Sequence, residues 1–359
     1  MRTTRSLFTV LTLTLGLTLA GCGSSDEPED AGDTGADDSA ADDSGSDGAD
    51  DSASSEDAGS DDGVIGTVDR GPVTDVIQEG DTFTVVALGW SDGEIAASLG
   101  VTPVAIYDWQ GHGEENSGVG PWAVDSIDGD VTVIQNTGTN YNYEQIELLE
   151  PDLILNVRAG SDEEVFNRLS DIAPVATAPE DAPDFAVDWR TQTEIIGKAI
   201  GKDDEAAAAI AETEQVIADA ASPDYEGVSF AYGVKFGDAY GGYVEGDARF
   251  DVFGELGFVQ NPALAVLATP GGFFAGVAAE QVAALDADVA VLTTIGLPLE
   301  ELTSDSTINS LGVVTDGRAI VLDETDEINV ALAAGTPQSI ALAVEQITPK
   351  LAEAVAKVG

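Results

Sequence analysis

A single cysteine, a single histidine and a single methionine stand among 359 residues. One thiol cannot form a disulfide within the chain, and one histidine is a poor start for zinc, which is usually held by several His or Cys ligands. A Ser-His-Asp hydrolase would have to use His112, which lies in Gln110-Gly111-His112-Gly113-Glu114-Glu115, a stretch that reads as a solvated acidic loop. Nucleophilic catalysis is therefore disfavoured. No Gly-Lys pair is followed by Ser or Thr, and no dinucleotide fingerprint follows a strand, which removes phosphate-loop and nicotinamide chemistry. Direct capture of bare ferric or manganous ion lacks the His, Tyr and carboxylate cluster it would need. The chain reads as a non-enzyme with no directly bound cofactor or metal.

Basic residues are scarce too: 13 Lys and Arg face 67 Asp and Glu, a formal net charge of −54. Such a charge makes nucleic acid and anionic membrane surfaces poor partners. Self-repulsion on this scale weakens a compact state in dilute salt, and halophiles use acidic surfaces to stay soluble in brine, so a salt-adapted protein is expected.

What is present divides along the chain. Arg2 and Arg5 precede a 14-residue apolar run, residues 7–20, which ends in Leu19-Ala20-Gly21-Cys22. A membrane-spanning helix needs roughly 20 apolar residues, so the run reads as a secretory signal rather than a permanent anchor. The Leu-Ala-Gly-Cys tetrapeptide resembles the bacterial lipobox, which implies lipidation of Cys22 and tethering to the outer face of the cytoplasmic membrane. Residues 26–63 hold 16 acids and no Val, Ile, Leu or aromatic residue, too little apolar surface to offset ordering. The 41 residues between Cys22 and Val64 would reach roughly 35 Å as a flexible coil.

The remaining 296 residues carry an internal repeat. Residues 144–155 (EQIELLEPDLIL) align without a gap with residues 280–291 (EQVAALDADVAV), each copy reading as a short amphipathic helix, an acidic break and a strand buried on both faces. Upstream, residues 83–88 read as a strand, Ser91-x-x-Glu94 as a capping box, and Gly100 as a helix stop, with a second strand over residues 104–107. Residues 228–234 and 319–322 are strand candidates in the second half, followed by a closing helix over residues 337–358. Short connections imply parallel sheets with right-handed crossovers. Residues 188–221 lack proline and read as a helical connector, with possible bends at Gly197 and Gly201 and enough length to stiffen the junction. The expected plan is a signal (1–21), a lipidated tether (22–63), an α/β lobe (64–187), a connector (188–222) and a second α/β lobe (223–359).

Two α/β lobes, a helical connector, a lipobox and the repeated Glu-Gln-Ile/Val unit together resemble the solute-binding lipoproteins of ABC importers for ferric siderophores, haem and cobalamin. Val85-Val86-Ala87-Leu88-Gly89-Trp90-Ser91-Asp92, Gly118-Val119-Gly120-Pro121-Trp122 and Pro151-Asp152-Leu153-Ile154-Leu155 are similar to the ferric siderophore branch. The resemblance implies a monomeric receptor that carries ferric iron as a siderophore chelate, with a ligand cleft between lobes. It also implies an ABC permease with a cytoplasmic ATPase as partner, engaged by an acidic residue on each lobe, here Glu144 and Glu280. Cobalamin or haem as cargo is the nearest alternative, and an adhesive or structural surface lipoprotein is the alternative of another class.

Ligands of open α/β sheets sit outside the carboxyl ends of the strands, so Asn156-Val157-Arg158 and Thr293-Thr294 should border the cleft. Siderophore chelates are often anionic, and a guanidinium offers a planar fork and a permanent charge, which makes Arg158 the first candidate and Arg249 the second. Aromatic residues are only 6% of the chain yet gather in loops, which suits a rigid pocket for a bulky chelate. Trp90, Tyr107, Trp122, Tyr143, Tyr240 and Phe274 complete the expected contacts, Trp109 and Phe273 lie near them in sequence, and Trp189 is expected in the core.

Overall fold

The computed structural model describes residues 63–70, 73–138 and 140–359. The signal, Cys22 and nearly all of the acidic tether lie outside the described residues. Among the described residues no helix is long and apolar enough to cross a membrane.

The first lobe is built on five parallel strands, β3 (Val85–Ala87), β4 (Ala105–Asp108), β5 (Thr132–Gln135), β6 (Leu153–Asn156) and β7 (Val175–Thr177), in the order β5-β4-β3-β6-β7. Val85, Val86, Leu153, Ile154 and Leu155 are fully buried, as near-continuous apolar strands must be when helices cover both faces. An antiparallel pair, β1 (Val64–Asp69) and β2 (Val73–Ile77), packs Val68 and Val76 into the same core.

The second lobe centres on β8 (Ser229–Phe236), which runs parallel to β12 (Val289–Thr294); β12 in turn pairs with β13 (Ala319–Val321). Its other edge is antiparallel, β9 (Ala239–Tyr243) returning beside β8 and pairing with β11 (Phe274–Val277), whereas the short β10 (Val259–Gln260) pairs in parallel with the start of β8. The lobe is α/β as expected, but its sheet is mixed. The Ala239-Tyr240-Gly241-Gly242-Tyr243 strand lacks the Val and Ile run that marks a buried strand, which hid it.

The repeat has the same structural job twice. A helical segment, Tyr143–Glu147 or Ala279–Leu285, leads into an interior strand, β6 or β12. The aspartate before each strand pins the neighbouring strand. Asp152 accepts from the backbone N–H of Thr84 ahead of β3, and Asp288 accepts from Ser229 N–H at the start of β8, at 2.8 and 2.9 Å.

The connector is two helices rather than one rod, Trp189–Ala199 and Asp203–Ala220. The break falls at Gly201, whose φ of +66° lies in the left-handed region that glycine alone enters freely, while Gly197 stays helical. The first helix lies on β1 and on the helix Asp92–Ser98, and the second on the C-terminal helix Pro337–Val355. Trp189 is buried in the core of the second lobe.

Candidate functional site

Loops that follow β3, β4, β12 and β13 meet in one cleft of about 1010 Å³. Trp90 follows β3, Trp109 to His112 follow β4, Thr293 to Ile295 end β12, and Glu324 and Thr325 follow β13. The helix Glu327–Ala334 closes one side. The strand-end rule thus places the site in both lobes.

The first-lobe wall is aromatic and held from beneath by carboxylates. Trp90 and Trp109 stack face to face, their centroids 4.4 Å apart and their planes 3° from parallel. Ser91 precedes the helix Asp92–Ser98 with φ +62°, and its hydroxyl accepts the Trp109 indole N–H at 3.1 Å. The expected capping box is therefore not formed: left-handed Ser91 turns its hydroxyl away from the helix, and Glu94 reaches elsewhere. Glu94 is buried and accepts the Trp122 indole N–H at 2.6 Å and the Gly120 N–H at 3.2 Å. Glycine is required at 120 because a Cβ there would fall 2.2 Å from the Trp122 ring. Burial pushes the Glu94 carboxyl up to about 7, despite its hydrogen bonds from Trp122 and Gly120.

Asp108, at the end of β4, folds the next loop by accepting the N–H groups of Gly111, His112 and Gly113 at 2.8 to 2.9 Å. That brings His112 to the cleft, edge-on to Trp122 with ring centroids 5.9 Å apart. The histidine expected in a solvated loop is thus a wall residue. Burial holds its pKa below the ordinary value, against the pull of Asp108.

Asp92, fully buried, accepts from the backbone N–H groups of Val157 and Arg158 and from Gln192 Nε2. Burial pushes it up to about 6, opposed by those bonds. Arg158 is buried behind the tryptophan pair, its guanidinium carbon 5.7 and 5.9 Å from the Trp90 and Trp109 rings. Its Nε donates to the Phe185 carbonyl at 3.1 Å, and its Nη1 to the carbonyls of Ala333 and Ala334 at 3.1 and 2.8 Å. Those last two carbonyls end the second-lobe helix Glu327–Ala334, where a cation also meets the negative end of the helix dipole.

The second-lobe wall combines Phe236, Tyr243, Phe273, Phe274 and Arg249. Phe274 meets Tyr243 edge-on at 5.2 Å, and the Arg249 guanidinium lies 3.5 Å over the Tyr243 ring. Arg249 donates to both oxygens of buried Asp247, Nε at 2.7 Å and Nη2 at 2.8 Å. Burial opposes both charges, yet their mutual attraction prevails: Asp247 lies below its ordinary pKa and Arg249 above. The Thr293 and Thr294 hydroxyls are buried without a partner among the described residues.

Of the eight expected ligand contacts, Trp90, Trp122, Arg249 and Phe274 line the cleft; Tyr107, Tyr143, Arg158 and Tyr240 do not. Tyr107 is buried, its hydroxyl on Asn136 Oδ1 at 2.6 Å. Tyr143 lies under the Arg168 guanidinium at 3.6 Å. Tyr240 and Lys235 both donate to Asp305 at 2.7 Å. Arg158 is occupied by carbonyls, as described. Thr293 and Thr294 border the cleft, whereas Asn156 and Val157 line a separate hollow of about 300 Å³ beside Phe166. Glu144 and Glu280 are exposed, each in the first turn of its helical segment. Sequence reasoning missed Glu94, Asp92, Glu324, Glu327 and Asn329; the rule that selected Thr293 and Thr294, applied to the end of β13, reaches the last three. Among the described residues no group of three His, Cys, Asp or Glu is placed to hold a metal ion.

Comparisons with known proteins follow the same lines. No curated protein sequence matches the chain. A periplasmic solute-binding protein of Mycobacterium smegmatis superposes with a TM-score of 0.70 at 25% identity, over 82% of this chain and 100% of that one. PiaA of Streptococcus pneumoniae in complex with ferrichrome gives 0.65 at 23% identity, over 79% and 97%. SirA of Staphylococcus aureus complexed with staphyloferrin B gives 0.63 at 23% identity, over 76% and 94%. Residues 85–324 match the model of the periplasmic binding protein family, and with two α/β lobes enclosing a cleft at their strand ends, this chain belongs to that family.

Proposed function

We propose that this protein captures a ferric siderophore between its lobes and delivers it to the permease of an ABC importer, without a catalytic step of its own. The observation that carries this reading is the cleft of about 1010 Å³ walled by aromatic rings from both lobes, a size and lining suited to a bulky, partly apolar chelate. The siderophores bound by PiaA and SirA support the choice of cargo. In this reading the first lobe runs over 64–187, the connector over 188–222 and the second lobe over 223–359. Cys22 carries a lipid that holds a monomeric receptor at the outer face of the membrane, and Glu144 and Glu280 dock to the permease.

Tryptophan fluorescence tests it directly, because three of the four tryptophans, Trp90, Trp109 and Trp122, line the cleft. Titration with ferric hydroxamates or ferric catecholates should give saturable quenching with submicromolar affinity. Quenching by cobalamin or haem alone would overturn the cargo assignment, and no response to any of them would favour a surface protein.

A further inference from the structure

The charges facing the cleft discriminate among ferric chelates. Among the described residues Arg249 is the one Lys or Arg on the lining, and both oxygens of buried Asp247 already hold it, so its charge is compensated inside the protein. Arg158 sits behind the tryptophan pair and is committed to backbone carbonyls. Partial burial lowers the His112 pKa and so disfavours its cationic form. Against these stand Glu324 and Glu327, two carboxylates on the lining with no Lys or Arg within ion-pair distance among the described residues. The site as a whole is negative, on a protein that is itself strongly negative.

We infer that the cleft takes an uncharged or cationic ferric chelate of the hydroxamate class and rejects polyanionic catecholate chelates. Three singly charged hydroxamates cancel the charge of ferric iron, whereas three doubly charged catecholates overshoot it. An uncharged chelate avoids repulsion from Glu324 and Glu327, and an ammonium group on a hydroxamate ligand would meet them favourably. This inference rests on the siderophore reading and narrows it.

The test is titration of the intact protein, in low and in molar salt, with ferrichrome (uncharged), ferrioxamine B (cationic) and a ferric tris-catecholate (anionic). The two hydroxamates should bind roughly a hundredfold more tightly than the tris-catecholate, with the ferrioxamine B complex the most weakened by salt. The double variant Glu324→Gln and Glu327→Gln should narrow the gap between ferrichrome and tris-catecholate roughly tenfold. Tris-catecholate binding as tight as ferrichrome, or a gap unmoved by the double variant, overturns the charge inference and leaves the siderophore reading standing. Failure of every ferric chelate to bind overturns both.

Discussion

The buried carboxylate of Glu94 accepts the indole N–H of Trp122 at 2.6 Å, so a helix under the first lobe fixes an aromatic wall of the cleft. That contact has a pH signature. Burial raises Glu94 from 4.5 to about 7 and its neighbour Asp92 from 3.8 to about 6. The folded protein therefore keeps protons that the unfolded chain has already released, and these groups make stability fall as pH rises through that window. Glu94→Gln should flatten the decline between about pH 5 and about pH 8, by an amount on the order of 3 kcal/mol. Urea midpoints across that range measure it, and an undiminished slope would assign the titration to other groups.

Arg158 joins the lobes from the inside. Replacing it with Met removes the donor for the carbonyls of Phe185, Ala333 and Ala334, leaving buried acceptors unsatisfied, and should cost about 3 kcal/mol in urea unfolding. Lysine should recover only part of this, since its single ammonium cannot reproduce the fork. Small-angle scattering of the Met variant should show a larger radius of gyration. An unchanged midpoint would remove Arg158 as a structural clasp.

Glu144 and Glu280 lie on exposed first turns away from the cleft lining. Alanine at both positions should leave siderophore affinity within about twofold and abolish uptake by whole cells, because long-range effects on the cleft are small once charges are solvent-screened. Lost binding would refute a division between capture and docking.

The excess of carboxylates predicts that salt stabilises the fold. The thermal midpoint should climb between low and molar sodium chloride as self-repulsion is screened. A flat response would count against salt adaptation.

Much of the architecture was legible because its signals are local. The repeat of residues 144–155 and 280–291, a run of buried aliphatics after each acidic break, located an interior strand of each sheet, and Gly201 marked the connector's bend. The antiparallel edge stayed hidden, since Gly241 and Gly242 replace the β-branched residues that announce a strand. In the site, strand ends pointed to Thr293 and Thr294, which line the cleft, and equally to Asn156, Val157 and Arg158, which do not. Arg158 misled for a physical reason: scarcity of basic residues shows that a guanidinium matters, not whether a ligand or a backbone carbonyl claims it. Glu94 looked like a helix cap in sequence, and only three-dimensional proximity to Trp122 reveals it as a prop for the cleft.

The backbone passes from the first lobe to the second through the two connector helices, Trp189–Ala199 and Asp203–Ala220. All five strands of the first sheet precede residue 178 and every strand of the second follows residue 228, so neither sheet waits for residues from the other half. The N-terminal half can complete its sheet while the rest of the chain is still arriving. The cleft should then form late, as the halves come together, sealed by Arg158 on Ala333 and Ala334 and by Gln110 on the Val330 carbonyl. Substitutions at that seal should chiefly accelerate unfolding and leave the folding rate nearly untouched.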